Sequence, residues 1–263
     1  MFEIQVRDAG GNVLSSARGE TGASLYYAAS YRPGDVLVFT GDTRHVHIMV
    51  DQALPECLVY LKNRRMVFTV PFGDMKTSYA PQAFSGEKHI LSIHKAPAEE
   101  LQKRRNLARN PIDQRFYEEC FPHACASVET RDEPVFFVKN VLDGLKFNRS
   151  HGEWPYLSWG IADEGDAELT LQFGRPVIID AVAVTLRADF PHDSYWTSVQ
   201  LTLSDGTQHT LELEKTDKTQ TFSIQEHQVE WLRLDHFVRA NDPSPFPSLR
   251  QLEVYGREAE GNG

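Results

Sequence analysis

The sequence is short of cysteine, short of positive charge and without a long apolar run. Its three cysteines are Cys57, Cys120 and Cys125. An odd number without regular spacing argues against the disulfide framework of a small secreted domain. Reduced thiols are expected, and no second pair of soft ligands lies near Cys120 and Cys125 to build a zinc cluster. Lys and Arg number 27 against 37 Asp and Glu, a formal charge of -10. Nucleic acid and anionic membranes both select for a basic face, so neither is expected as a partner. The basic run "KRRNLAR" at Lys103–Arg109 reads as a solvated helix face. No stretch approaches the roughly 20 apolar residues of a membrane-crossing helix. The start, "MFEIQVRDAGGNV", has no basic segment leading into an apolar one, and a cytoplasmic protein is expected. A nucleophile elbow, a phosphate loop and a metalloprotease helix are all missing, and no organic cofactor is implied.

What is present is strand. "DVLVFTG", "HVHIMV", "CLVYLK", "RMVFTVPFG" and "KHILSIHKA" are short runs rich in β-branched and aromatic residues, separated by turn residues. They predict a β-sandwich over residues 1–96. Residues 97–120 change character. Pro97 sits at a helix start with Glu99 and Glu100 in the first turn. Leu101, Leu107 and Ala108 form a thin apolar stripe, and Asn110-Pro111 stops it. Asp113–Cys120 reads as a second short helix. Strand signals return from residue 121 in "AELTLQFG", "IIDAVAVTLRAD", "SVQLTLSDG", "HTLELEK", "VEWLRLDHF" and "LRQLEVYG". Asp205-Gly206 supplies a hairpin turn. The fold class expected is all-β: two β-sandwich, jelly-roll-like domains (1–96 and 121–258) joined by a short helical linker (97–120), with a disordered tail at 259–263.

The order of pieces across 121–256 resembles the discoidin, or coagulation-factor type C, domain of the galactose-binding-like superfamily. "ACASVETRDEPVFFVKNVLDG" is similar to that family's opening, "GEWPYLSWG" to its tryptophan segment, "AELTLQFGRPVIIDAVAVTLR" to its strand-turn-strand, and "LRQLEVYG" to its closing strand. The insertion "LKFNRSHGEWPYL" departs from the usual compact loop. The resemblance implies a jelly roll and a carbohydrate-binding module. It also implies a structural calcium at Asp143 and Glu253, with Asn148 and Ser150 as neighbours. The alternative for these residues is that Asp143 caps a turn and Glu253 meets a cation.

Strand parity points to candidate site residues. In "DAVAVTLRAD", Val182, Val184 and Leu186 share the core parity, so Arg187 and Asp189 take the other face. Val199, Leu201 and Leu203 face inward in the next strand, which turns Trp196 outward. His192 and Asp193 lie in the loop between. "HGEWPYLSW" adds His151, Trp154 and Tyr156, with Trp159 assigned to the core. "HFVRANDPSPFP" adds Arg239, Asp242 and Phe246 on a Pro-rich loop. Aromatic faces stack on the C–H face of a sugar, and planar charged groups bond its hydroxyls. A non-catalytic carbohydrate-binding protein is therefore expected. The alternatives are a glycan-active enzyme using His192 with Glu153, Asp189 and Asp193, or a protein-interaction scaffold. Homo-oligomerisation is left open. His45 and His47 share a strand face at a metal-ligating spacing, with His89 and His94 elsewhere, but no carboxylate or cysteine set in the sequence completes such a site.

Overall fold

Alternation dictates the first half of the chain. In β1 (Phe2–Arg7), Phe2, Ile4 and Val6 are buried and their neighbours are not. The same alternation runs through β3 (Gly22–Tyr27), β7 (Arg65–Thr69) and β8 (His89–Lys95); β4 (Val36–Thr40), β5 (His45–Met49) and β6 (Cys57–Leu61) are more continuously buried, and β2 (Val13–Gly19) has no buried residue. One antiparallel sheet has the order β2-β1-β4-β7, and a second runs β6-β5-β8-β3. Ile4, Phe39 and Phe68 from the first meet Ile48, Val59 and Ile93 from the second in one core. The computed structural model describes residues 1–161, 166–188, 194–244 and 246–259.

Residues 97–120 differ from the expected connector. Only α1 (Ala98–Gln102) is an α-helix. The next residues form β9 (Arg105–Asn106), which pairs with β17 (Ser248–Glu258) of the second sandwich. β10 (Cys120–Phe121) pairs back onto β6 of the first. Leu107 and Ala108 are buried in the second core, while Ile112 and Cys120 are buried in the first. The helix expected over Asp113–Cys120 gives way to tertiary anchors. The Asp113 carboxylate accepts from Ala124 N at 3.0 Å and contacts His123 Nδ1 at 2.8 Å. Tyr117 Oη accepts from Val67 N at 3.0 Å.

The second sandwich is built from β11 (His123–Ala126), β12 (Trp159–Gly160), β13 (Leu169–Leu186), β14 (Trp196–Leu203), β15 (Gln208–Glu212), β16 (Gln220–Arg239) and β17. Its order is β12-β17-β13-β16-β14-β15, with β11 on β13. Two long strands shape it. The start of β13 pairs with β11 and with the end of β16; after a break between Gln172 and Val177, its second half pairs with β17 and with the start of β16. Gly174 sits in that break with φ +68, and a Cβ there would lie 2.3 Å from the Phe121 ring. The bend brings Leu171 and Phe173 into one core with Val182, Val184, Leu232 and Leu252.

A buried ion cluster ties the two sandwiches together. Glu258 of β17 receives Arg175 at 2.6 and 2.8 Å and Arg105 at 2.5 Å, and His45 of β5 lies 3.3 Å away. Burial alone would raise this carboxyl's pKa. The contacts with His45 and Arg175 outweigh burial and hold it far below the carboxylate range. Of the tail expected at 259–263, Ala259 is buried and the rest lies outside the described residues. No described helix is long and apolar enough to cross a membrane.

Candidate functional site

Arg187 has the parity read from the sequence but not the exposure. Val182, Val184 and Leu186 face the core, and Arg187 takes the other side, yet it is only 1% exposed. Residues 140–157, which contain the insertion, lie over that face. Arg187 donates to Tyr156 O at 2.9 Å and also to Ser150 O. Gln251 donates to Val141 O and accepts from Gly144 N at 3.1 Å. Arg250 reaches Asn140 O at 3.2 Å, and Asn148 donates to Leu186 O at 3.1 Å. Thr185 and Thr219 share a hydroxyl bond of 2.9 Å. The outer face is polar and sealed, with the cover's carbonyls taking the strands' donors. Arg187 is a bolt rather than a ligand arm.

Trp196 is the second correction. It is 1% exposed, 4.7 Å from the Phe237 ring and 6.5 Å from the core ring of Trp159. The β14–β16 register shifts twice, between Trp196 and Ser198 and between Ser198 and Gln200. His236, in the second shift, has φ +49. An extra residue in a strand reverses parity beyond it, and Trp196 therefore turns into the core.

The expected loops do come together through backbone bonds. Arg187 N donates to Ser248 O at 3.1 Å, and Ala240 N donates to Tyr195 O at 2.9 Å. With the Arg187 guanidinium on Ser150 and Tyr156, the insertion, the end of β13 and the loop before β17 meet at one end. Phe246 is 56% exposed there, and Arg239 and His151 are also exposed. Asp242 is held by Lys215 at 2.6 Å. Trp154 instead turns toward the first sandwich: it packs partly buried against that core and its N donates to Thr77 O at 3.1 Å. It lines an inter-sandwich cavity of about 120 Å³ with Tyr79, Arg109 and Lys139. Lys139 lies 4.3 Å above the Tyr79 ring, and burial lowers its pKa to about 8. Asp189, His192 and Asp193 lie outside the described residues. The catalytic alternative rests on them together with Glu153, which is exposed.

The calcium set implied by the resemblance does not fit this arrangement. Asp143 Oδ1 accepts from Leu145 N at 2.8 Å and Oδ2 takes Arg250 at 3.1 Å. Glu253 takes Lys146 at 2.5 Å and the Tyr255 hydroxyl at 3.1 Å. Asn148 donates its amide NH2 to Leu186 O and Asp217 O, while its buried Oδ1 has no hydrogen-bond partner and is the one oxygen of the set left unspent. The chain's own cations neutralise both carboxylates, and calcium asks for six to eight oxygens.

The opposite outer face of the sandwich is open. Gln172 and Trp231 are cross-strand partners, as are Thr170 and Arg233. Trp231 lines two hollows. The larger, about 450 Å³, is lined by Lys62, Phe121, Gln172, Glu230 and Arg233. The smaller, about 280 Å³, is lined by Ser204, Asp205, Gln228 and Glu230. Of these residues the sequence marks only Asp205, and that as a turn residue rather than a ligand contact. The signal existed in "WLRLD": Leu232 and Leu234 face the core, which places Trp231 and Arg233 on the other side.

No protein-family model matches the chain, and no curated protein matches it. Solved structures similar to about half of it are carbohydrate-binding modules. The family 32 module of C. perfringens NanJ, solved in complex with galactose, is 16% identical, with 50% of this chain and 91% of that one covered at a TM-score of 0.38. The lectin domain of lectinolysin, complexed with Lewis B antigen, is 14% identical, with 59% and 98% covered at 0.43. A Streptococcus pneumoniae fucose-binding module is 12% identical, with 59% and 99% covered at 0.40.

Proposed function

We propose that the chain binds a glycan without cleaving it, and that the sugar lies against Trp231 on the open face. The observation that carries this is the pair of hollows that Trp231 lines. An indole presents an apolar face to sugar C–H groups. The Gln172 carboxamide and the Arg233 guanidinium beside it are planar groups able to bond hydroxyls. Two hollows that share one lining tryptophan suit more than one sugar unit. The reading accords with the resemblance of residues 121–256 to discoidin-type modules. A second position is the loop end, favoured by the exposure of Phe246 next to Arg239 and the Lys215–Asp242 pair. A glycan array identifies the ligand, and ¹H–¹⁵N spectra titrated with it locate the site. A shift of the Trp231 indole signal is expected. Shifts confined to residues around Phe246 move the site to the loop end, and no binding to any glycan defeats the reading.

A further inference from the structure

The first sandwich brings together four side chains that glycan binding leaves unused. His47 of β5 and His94 of β8 are direct cross-strand partners. Their rings stack with centroids 4.9 Å apart. Glu56, just before β6, reaches both: its Oε2 lies 3.9 Å from His47 Nδ1 and its Oε1 lies 3.5 Å from His94 Nδ1. Ser92 donates to Glu56 Oε1 at 3.2 Å. On the far side of His47, Glu100 Oε2 of α1 lies 2.8 Å from Nε2.

The Glu100 contact sets the protonation of the ring. A carboxylate only accepts, so Nε2 carries the proton in neutral His47 and Nδ1 carries the lone pair. That lone pair faces the Glu56 carboxylate, which also offers only lone pairs. Three Lewis bases from three parts of the chain thus converge, with ligand atoms all within 4.8 Å of one another. One divalent cation satisfies them together. Two imidazole nitrogens and a carboxylate form a borderline donor set, suited to Zn²⁺ and its neighbours rather than to Ca²⁺ or Mg²⁺. A carboxylate behind a ligating imidazole orients it and raises its basicity. Bonds of about 2.0–2.2 Å require the donors to draw inward. The side chains of His94 and Glu56 are 44% and 38% exposed, so both can swing, while Glu100 holds His47, which is 16% exposed. The same opening admits the ion and leaves a coordination position to solvent. The sequence pairs His45 with His47, but His45 is buried against Glu258 and the partner of His47 lies across the sheet.

We propose that His47, Glu56 and His94 bind one borderline divalent transition-metal ion of the Zn²⁺ class, with Glu100 positioning His47. The test uses the full chain stripped with chelator and dialysed. Calorimetry with Zn²⁺ alone gives one equivalent bound, and Co²⁺ gives a four-coordinate visible spectrum that Zn²⁺ displaces. Binding weakens as pH falls, because the imidazoles must be neutral to ligate. His94→Ala and Glu56→Gln abolish uptake with unchanged melting curves, since both side chains are partly exposed. Glu100→Gln keeps one site and weakens it about 10–100-fold. His227→Ala, which removes a histidine held by Asp205 on the other sandwich, changes nothing. No saturable uptake by the unaltered chain overturns the proposal. So does uptake that survives His94→Ala and Glu56→Gln, or uptake lost in His227→Ala.

Discussion

The two outer faces of the second sandwich follow the same alternation and end differently. At the end of β13 and just past it, Thr185 and Arg187 point away from the core and are each 1% exposed: Thr185 is bonded to Thr219, and residues 140–157 lie over Arg187. On the first half of the same strand, Thr170 and Gln172 point away from the core and line a groove with Trp231 and Arg233. Parity assigns a side chain to a face. Whether that face meets solvent depends on what else in the chain has groups to match it. The sealed face is rich in donors and its cover offers carbonyls, so the two close. The open face keeps its indole and guanidinium near the surface.

The contrast is broken most severely at Trp196. If it belongs to the core, Trp196→Ala lowers stability by about 3–5 kcal/mol in a denaturant titration. A change near zero would return it to the surface. Arg187→Met comes next. It leaves the carbonyls of Ser150 and Tyr156 without their charged donor, at a cost of about 1.5–3 kcal/mol. Hydrogen exchange accelerates in residues 148–156 and stays slow in β14. Uniform acceleration would mean that Arg187 does not act through the cover.

Lys139 gives an effect that depends on pH. Its folded pKa is lowered to about 8 by burial, against about 10.4 in an unfolded chain. Between these values the unfolded chain holds more protons, so stability rises as pH increases from about 8 to about 10.4. Melting temperatures across that window should climb in the unaltered chain and climb less in Lys139→Met. The smallest effect is expected from chelator. With Arg250 on Asp143 and Lys146 on Glu253, EDTA leaves the melting of the second sandwich unchanged. A drop restored by Ca²⁺ would show that an ion displaces those two cations.

How far the sequence carries can be read from particular residues. "DVLVFTG", "HVHIMV", "CLVYLK" and "RMVFTVPFG" each contain a strand of the first sandwich. Asp205-Gly206 makes the β14–β15 turn, with Gly206 at φ +89. These features are local, and local rules reach them. Trp196 was beyond reach because the register shifts that rotate it are set by pairing with β16. Arg187 was misjudged because its cover lies some forty residues earlier in the chain. Residues 97–120 look helical in isolation, but their buried side chains are divided between two cores. Trp231 was legible by the same parity that misled at Trp196, since no register shift lies between it and Leu234.

Whether the ligand lies on the open face is directly measurable. Calorimetry with the best array glycan, on Trp231→Ala and Phe246→Ala beside the unaltered chain, decides it. Trp231→Ala is expected to weaken binding by about 1–3 kcal/mol, on the scale set by stacking of planar bases on aromatic side chains, with Phe246→Ala unchanged. Full affinity in Trp231→Ala, with binding lost in Phe246→Ala, would contradict the account and place the site at the loop end.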